Sequence, residues 1–167
     1  MNKVNIDLII EDKIWKKEKE INKKLIKNGF LLVVEYLGIK LKSNIEISIT
    51  LSNDEYIKKL NNKYREKDSA TNVLTFSLYN NINNIKNDNL VMPFIALGDI
   101  VFAYDTICKE AHEQNKSFIN HFIHLLIHSI LHLFAFDHIK ENDRKKMEKM
   151  EIEILQAFNI DNPYIID

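Results

Sequence analysis

The stretch Asn44–Ser52, NIEISITLS, alternates apolar and polar residues along most of its length. Side chains on a strand point in turn to opposite faces, so the alternation predicts a strand with one face buried in a core. The apolar face consists of Ile45, Ile47, Ile49 and Leu51. The residues Ser52-Asn53-Asp54-Glu55 are typical of a helix start. The stretch therefore predicts a sheet with helices packed on it.

Three more segments predict strands. Each is a short run rich in β-branched and other apolar residues. They are residues 4–10 (VNIDLII), 71–78 (TNVLTFSL) and 95–104 (IALGDIVFAY). The Asn-rich stretch 79–94 lies between the last two, and because it is too polar to build a core, it predicts a loop.

Apolar residues at spacings of three and four predict helices in the rest of the chain. These helices span about residues 13–37, 54–64, 105–114, 117–134 and 141–158. Asn28-Gly29 is a possible break in the first, and Asp105 and Ser117 are the expected caps of the third and fourth. The chain is thus predicted to be α+β, with a single mixed sheet of about four strands covered by helices in one domain over residues 1–167.

The composition is ordinary for a soluble domain. The 167 residues are 46% hydrophobic and 28% charged. No apolar run approaches membrane-spanning length, and the N-terminus does not resemble a signal peptide. Cys108 is the single cysteine, which excludes an intrachain disulfide and suits a reducing compartment. We therefore expect a cytoplasmic protein with no membrane association and no disulfide partner.

Charge restricts how a nucleic acid could bind. The formal net charge is −1, so binding would need a local basic patch. Only two of the 23 basic residues are arginines, Arg65 and Arg144. Arg65 lies in the basic stretch 58–67, and a guanidinium can clamp a phosphate through two hydrogen bonds. For the neighbouring lysines and for Arg144, a solvated helix face is the simpler interpretation.

Three of the six histidines lie in the stretch 128–138, HSILHLFAFDH. His128 and His132 are one helical turn apart, so their imidazoles can bind one divalent ion together. His138 follows the helix end and could turn back as a third ligand, which leaves a position open as in catalytic zinc sites. Asp137 could orient an imidazole.

Other interpretations of these histidines stay open. Histidines on an apolar helix face are often packing residues, and the spacing H-x-x-x-H is by itself a weak signal. His121 and His124 lie on roughly the same side, so His124 and His128 form a rival pair. His112 is interpreted as a surface or packing residue.

Three segments together resemble the YbeY family of bacterial metal-dependent endoribonucleases. Residues 128–138 resemble its signature H-G-x-L-H-L-x-G-Y-D-H. The stretch LNNKYREKDSATNVLTFSL (60–78) resembles its segment N-x-x-Y-R-x-K-D-x-x-T-D-V-L-S-F-P, and ALGDIVFAYDT (96–106) resembles its L-G-D-I segment.

The resemblance implies a site and an activity. His128, His132 and His138 would bind one Zn²⁺ per chain in a zincin-like site on a helix of the C-terminal half. Arg65 falls on the motif arginine and is expected to act with the three histidines in catalysis. The implied activity is cleavage of single-stranded RNA, in maturation of the 16S rRNA 3′ end and in ribosome quality control. Ribosomal RNA and the small ribosomal subunit are the implied partners.

Four positions depart from the family pattern. Ser129 and Ala135 stand where it has glycines, Ser77 where it prefers proline, and Asn72 where it often has aspartate. A left-handed position at Ala135 would cost about 1 kcal/mol relative to glycine. No departure removes a ligand.

Two other functions agree with a zinc site. A metallopeptidase would use H-E-x-x-H with the glutamate as general base, and this chain has Ser129 there instead. A non-enzymatic ribosome-assembly factor could use zinc only to stabilise its fold. For an endoribonuclease, the attacking group could be metal-bound water or the RNA 2′-hydroxyl, with Asp99 and Asp137 as candidates for auxiliary roles.

Overall fold

A four-stranded mixed sheet organises the chain in the computed structural model, which describes residues 3–165. The strands are β1 (Val4–Ile10), β2 (Asn44–Ser52), β3 (Val73–Ser77) and β4 (Phe94–Ala103), in the order β1-β2-β4-β3. β1, β2 and β4 are parallel, and β3 pairs antiparallel with β4 at one edge. The predicted α+β fold with a single mixed sheet of about four strands is confirmed.

Helices cover this sheet. In the described residues they are α1 (Lys23–Tyr36), α2 (Asp54–Arg65), α3 (Ile82–Val91), α4 (Tyr104–Glu113), α5 (Phe118–Leu133) and α6 (Glu141–Leu155). Two short 3₁₀ helices, Lys13–Lys17 and Gln156–Phe158, complete the elements. Over residues 3–165, no helix has both the length and the apolar character needed to cross a membrane.

The predicted loop at 79–94 is wrong, because most of it forms α3. The side chain of Asn81 caps this helix by accepting the N–H of Asn83, and Ile85 is buried in the core. Asn89 is also buried, and its amide bonds to the backbone of the segment before β2. Asparagine thus caps the helix and satisfies buried backbone groups here, so composition alone was a poor guide.

Two expected helix ends also need correction. The helix predicted over 13–37 breaks before Asn22, which caps α1 by accepting the N–H of Leu25, and not at Asn28-Gly29. Gly29 lies inside α1, where a Cβ would come within 3.3 Å of Leu126 on α5. Asp105 is inside α4 and makes no cap. The predicted cap of α5, Ser117, is confirmed.

The two faces of the sheet have different roles. One face packs on α1 and α5 in the main core, which contains Ile47, Ile49 and Phe102, and α6 packs on these two helices. The other face meets α2 in a small cluster, which consists of Ile57, Leu74, Val101 and Ala103. Side chains alternate along β3, so Leu74 faces α2 while Thr75 faces the side of α5. Strand β3 therefore borders the surface of α5 that carries the histidines.

Gly98 fixes the spacing between β4 and β3. Its φ is +140°, and an added Cβ would lie 2.1 Å from the carbonyl oxygen of Phe76. We expect Gly98→Ala to lower the free energy of unfolding by about 3 kcal/mol, from backbone strain and displacement of β3. Urea unfolding measures the change. Gly38→Ala is the control, since Gly38 has φ +67° but an added Cβ there meets nothing within 4 Å. Equal losses in both variants would contradict the steric role.

Candidate metal centre

Helix α5 carries two of the three motif histidines into a partly buried position. His128 and His132 are one turn apart, and their ring centroids are 4.6 Å apart. The helix is apolar around most of its surface, and its buried residues contact the main core. The two imidazoles face the side of α5 that this core leaves open, next to β3.

The end of α5 returns the chain to these histidines. The N–H of Ala135 bonds to the His132 carbonyl at 2.9 Å, and the N–H of Phe136 bonds to the Leu131 carbonyl at 3.1 Å. This pair of bonds is a Schellman motif, which requires a left-handed residue after the helix. That residue is Ala135, with φ +69°, so the left-handed position inferred from the missing glycine is confirmed.

His138 lies on the segment that follows this turn. Its ring centroid is 5.3 Å from that of His128 and 5.0 Å from that of His132. Asp137 accepts the N–H of Ile139 at 3.3 Å, which braces the backbone around His138. Each of the three histidines offers one nitrogen, and these nitrogens all lie within 4.8 Å of one another.

Hydrogen bonds fix which nitrogens converge. Nδ1 of His132 donates to the Phe136 carbonyl at 2.8 Å, because a carbonyl can only accept. Nδ1 of His128 lies 2.7 Å from the Glu151 carboxylate. Burial would raise the pKa of Glu151, but hydrogen bonds from His124 and His128 outweigh it and lower that pKa to about 2. The carboxylate is therefore ionised, and His128 donates through Nδ1.

The two Nε2 atoms consequently face each other 3.0 Å apart. Burial and the neighbouring His128 and His138 lower the pKa of His132 to about 4, so its ring is neutral near pH 7. With Nδ1 of each ring engaged by a carbonyl or carboxylate oxygen, both Nε2 atoms are directed at a common partner. A divalent cation can be that partner, since zinc bonds imidazole nitrogens at about 2.0–2.1 Å. The donor set therefore fits a divalent metal ion.

The remaining histidines do not join this group. His121 is buried, with Nε2 3.5 Å from Glu110, and His112 is exposed on α4. His124 points to Glu151 and Tyr164, at 3.4 and 3.3 Å. Within residues 3–165, no fourth side chain of the metal-binding types completes the group formed by the three histidines. Cys108 lies elsewhere, beside Tyr104, and burial raises the pKa of its thiol.

A cleft of about 630 Å³ opens over the three histidines. One wall is β3, through Val73, Thr75 and Ser77, and Arg65 lies at its rim. Arg65 is exposed, and its Nη2 is 3.5 Å from the Thr75 carbonyl oxygen. The structure therefore brings Arg65 and the three histidines to one cleft, as expected from the sequence.

The two candidate carboxylates differ in position. Asp137 lines the cleft, whereas Asp99 does not. Asp99 pairs with Phe76 across β3 and β4 and so shares the face that α2 covers. An auxiliary role for Asp99 at the metal centre is therefore not supported by its position.

The structure shows the contacts of two residues that depart from the family pattern, Asn72 and Ser129. Nδ2 of Asn72 donates to both oxygens of the Glu110 carboxylate, at 2.8 and 3.0 Å. Ser129 is fully buried, and its hydroxyl has no hydrogen-bond partner among residues 3–165. It therefore provides no base beside the metal centre.

Glu151 and Tyr164 lie beside the three histidines, although neither was predicted from the sequence. Glu151 belongs to α6, and Tyr164 to the segment after it; their side chains meet at 2.5 Å beside His128. A signal was present for Glu151, since it lies among the apolar positions Met147, Met150 and Ile154 of an amphipathic helix. A charged residue on that face requires buried partners.

Comparison with known proteins identifies the family to which the chain belongs. A family model described as Endoribonuclease YbeY matches residues 10–159. An Endoribonuclease YbeY of Agrobacterium fabrum is 41% identical over 123 residues, which cover 74% of this chain and 70% of that protein. The solution structure of TM1509 from Thermotoga maritima has a similar fold, with a TM-score of 0.53 and 24% identity, over 93% of this chain and 92% of that one. The chain therefore belongs to the Endoribonuclease YbeY family, a family of RNA-cleaving enzymes.

Proposed function

We propose that this chain is a zinc-dependent endoribonuclease specific for single-stranded RNA. It would act in the cytoplasm on the 3′ end of 16S rRNA and in ribosome quality control, with the small ribosomal subunit as its partner. The observation that carries the proposal is the convergence of His128, His132 and His138 in a cleft, in a chain of an endoribonuclease family. One Zn²⁺ per chain would bind to these three residues.

The bound zinc would polarise a phosphoryl oxygen and lower the pKa of a coordinated water. The protein's own groups prepare that chemistry. Phe136 and Glu151 hold the imidazoles of His132 and His128 with their Nε2 atoms inward. Arg65 at the rim supplies a second positive charge for the phosphodiester, whose transition state stays anionic.

The form of the cleft supports a single-stranded substrate. The histidine nitrogens lie within the cleft, between β3 and α5, so a phosphodiester must enter it to reach them. An unpaired strand can place its backbone there, whereas a duplex keeps its backbone on a stiff helical surface. Proteins that read RNA sequence also mostly bind unpaired nucleotides, because their bases are accessible.

Two alternatives fit less well. A zinc metallopeptidase needs a general base beside the metal, and position 129 has a buried serine. An assembly factor stabilised by zinc would be expected to have four protein ligands, as structural sites do. Over residues 3–165, the three histidines form a group with no fourth such side chain.

The metal ligands can be tested by zinc content. We expect His132→Ala to lose stoichiometric zinc, because it removes one of the converging nitrogens. His124→Ala tests the rival pair and should keep it, since His124 points to Glu151. Elemental analysis of the purified variants measures both. Full zinc retention in His132→Ala would refute the ligand assignment.

Removal of the metal separates an enzyme from a zinc-stabilised fold. We expect a chelator to abolish cleavage of single-stranded RNA while the circular dichroism spectrum stays folded, because the core is continuous without the site. Added zinc should restore cleavage. Casein is the control substrate and should remain uncut. Unfolding on chelation would favour the assembly factor, and casein cleavage would favour the peptidase.

Arg65 is predicted to bind substrate phosphate. Arg65→Lys keeps the charge and loses the planar fork, so RNA cleavage should fall at least about tenfold, which corresponds to about 1.4 kcal/mol. Zinc content and the urea midpoint should stay near those of the parent.

Arg144→Lys is the matched control for this variant. Arg144 is committed to Glu141 and Glu148 on the exposed side of α6, away from the cleft. We expect its RNA cleavage to equal that of the parent. Parental cleavage in Arg65→Lys, or a loss explained by unfolding, would show that Arg65 only braces β3.

A further inference from the structure

A carboxylate buried behind the metal centre has no role in the family motif segments described above. Glu151 on α6 is only 1% exposed. Its oxygens contact three side chains: His128 Nδ1 at 2.7 Å, the Tyr164 hydroxyl at 2.5 Å and His124 Nε2 at 3.4 Å. An ionised carboxylate at this depth is costly unless such partners compensate it.

We infer that Glu151 is a positioning residue, held by Tyr164, that keeps His128 in the tautomer and ring orientation needed for metal binding. The inference rests on the proposed metal site and adds to it a residue from a different helix. A histidine ring can turn about its side-chain bonds and carry its proton on either nitrogen. The carboxylate selects the form with the proton on Nδ1, and Nε2 is then left for the metal.

Packing alone does not explain a glutamate at this position. Its neighbours on the buried face of α6 are Met147, Met150 and Ile154, all apolar. Replacing a whole buried ionic group and its partners by apolar residues often leaves stability unchanged or improved, so a stable core does not require a carboxylate here. What distinguishes the glutamate is the contacts of its oxygens, and its shortest contact with a histidine is to His128.

Tyr164 is itself fixed by its own segment. Its backbone N–H donates to Asn162, and the ammonium of Lys116 donates to the Pro163 carbonyl oxygen at 2.5 Å. The first bond orders the segment locally, and the second attaches it to the linker between α4 and α5. The hydroxyl can then donate to Glu151 and hold the carboxylate in place.

The same helix contains a natural control. Glu153, two residues further along α6, also accepts the hydroxyl of a tyrosine, Tyr36 of α1. That pair is exposed, and the histidines of the metal centre are not among its hydrogen-bond partners. The two tyrosine–glutamate pairs thus separate a general contribution to stability from an effect on His128.

The first measurement is zinc affinity by competition with a chromophoric chelator. We expect Glu151→Gln to bind zinc roughly 10- to 100-fold more weakly than the parent, the usual effect of losing such a partner. Tyr164→Phe keeps the carboxylate and should weaken binding less. Glu153→Gln should bind zinc like the parent.

The second measurement needs no metal. In the zinc-free protein, long-range ¹⁵N–¹H spectra report which nitrogen of His128 carries the proton. We expect Nδ1–H in the parent and in Glu153→Gln, and a mixture of tautomers or a protonated Nε2 in Glu151→Gln. A role in stability alone would not change this signal.

The outcomes are distinct. Parental zinc affinity and tautomer in a folded Glu151→Gln would overturn the inference. If Glu151→Gln does not fold, Tyr164→Phe decides, because parental zinc affinity and tautomer in that variant would overturn the role given to the pair. If the parent binds no zinc, the proposed function fails, while the tautomer still shows whether Glu151 orients His128.

Discussion

Two imidazole nitrogens that face each other 3.0 Å apart are the constraint on which the rest of the site depends. The Nδ1 atom of each ring is held by an acceptor outside the pair, so the two Nε2 atoms are directed at the same point. The surrounding structure must hold both rings in this geometry for a cation to bind between them.

Separate parts of the chain hold the two imidazole rings in this geometry. The Schellman turn at the end of α5 supplies the Phe136 carbonyl for His132, and α6 supplies Glu151 for His128. The cleft wall comes from β3, whose separation from β4 depends on the absence of a side chain at Gly98. Three histidines clustered in eleven residues thus depend for their arrangement on a turn, a second helix and a strand.

The features that could be predicted from the sequence were those that depend on residues close together in the chain. Alternation in β2 places four apolar residues on one face, and all four are buried. The left-handed Ala135 followed from one missing glycine in a motif. Helix α3 could not be predicted from composition, because Asn81 and Asn89 act through caps and long-range bonds that composition does not show. Glu151 was missed because its partners are 13 to 27 residues away and meet it only in the folded chain.

The two arginines show how surroundings decide the role of one residue type. Arg144 already has two carboxylate partners, so its charge is neutralised locally. Arg65 has one long contact, to the Thr75 carbonyl, and that oxygen does not neutralise it. The guanidinium of Arg65 can therefore turn to an anion in the cleft and lose only this one long hydrogen bond. Under the proposed function, a chain with a net charge of −1 would attract a phosphodiester at one place, where Arg65 and a cation bound by the three histidines would act together.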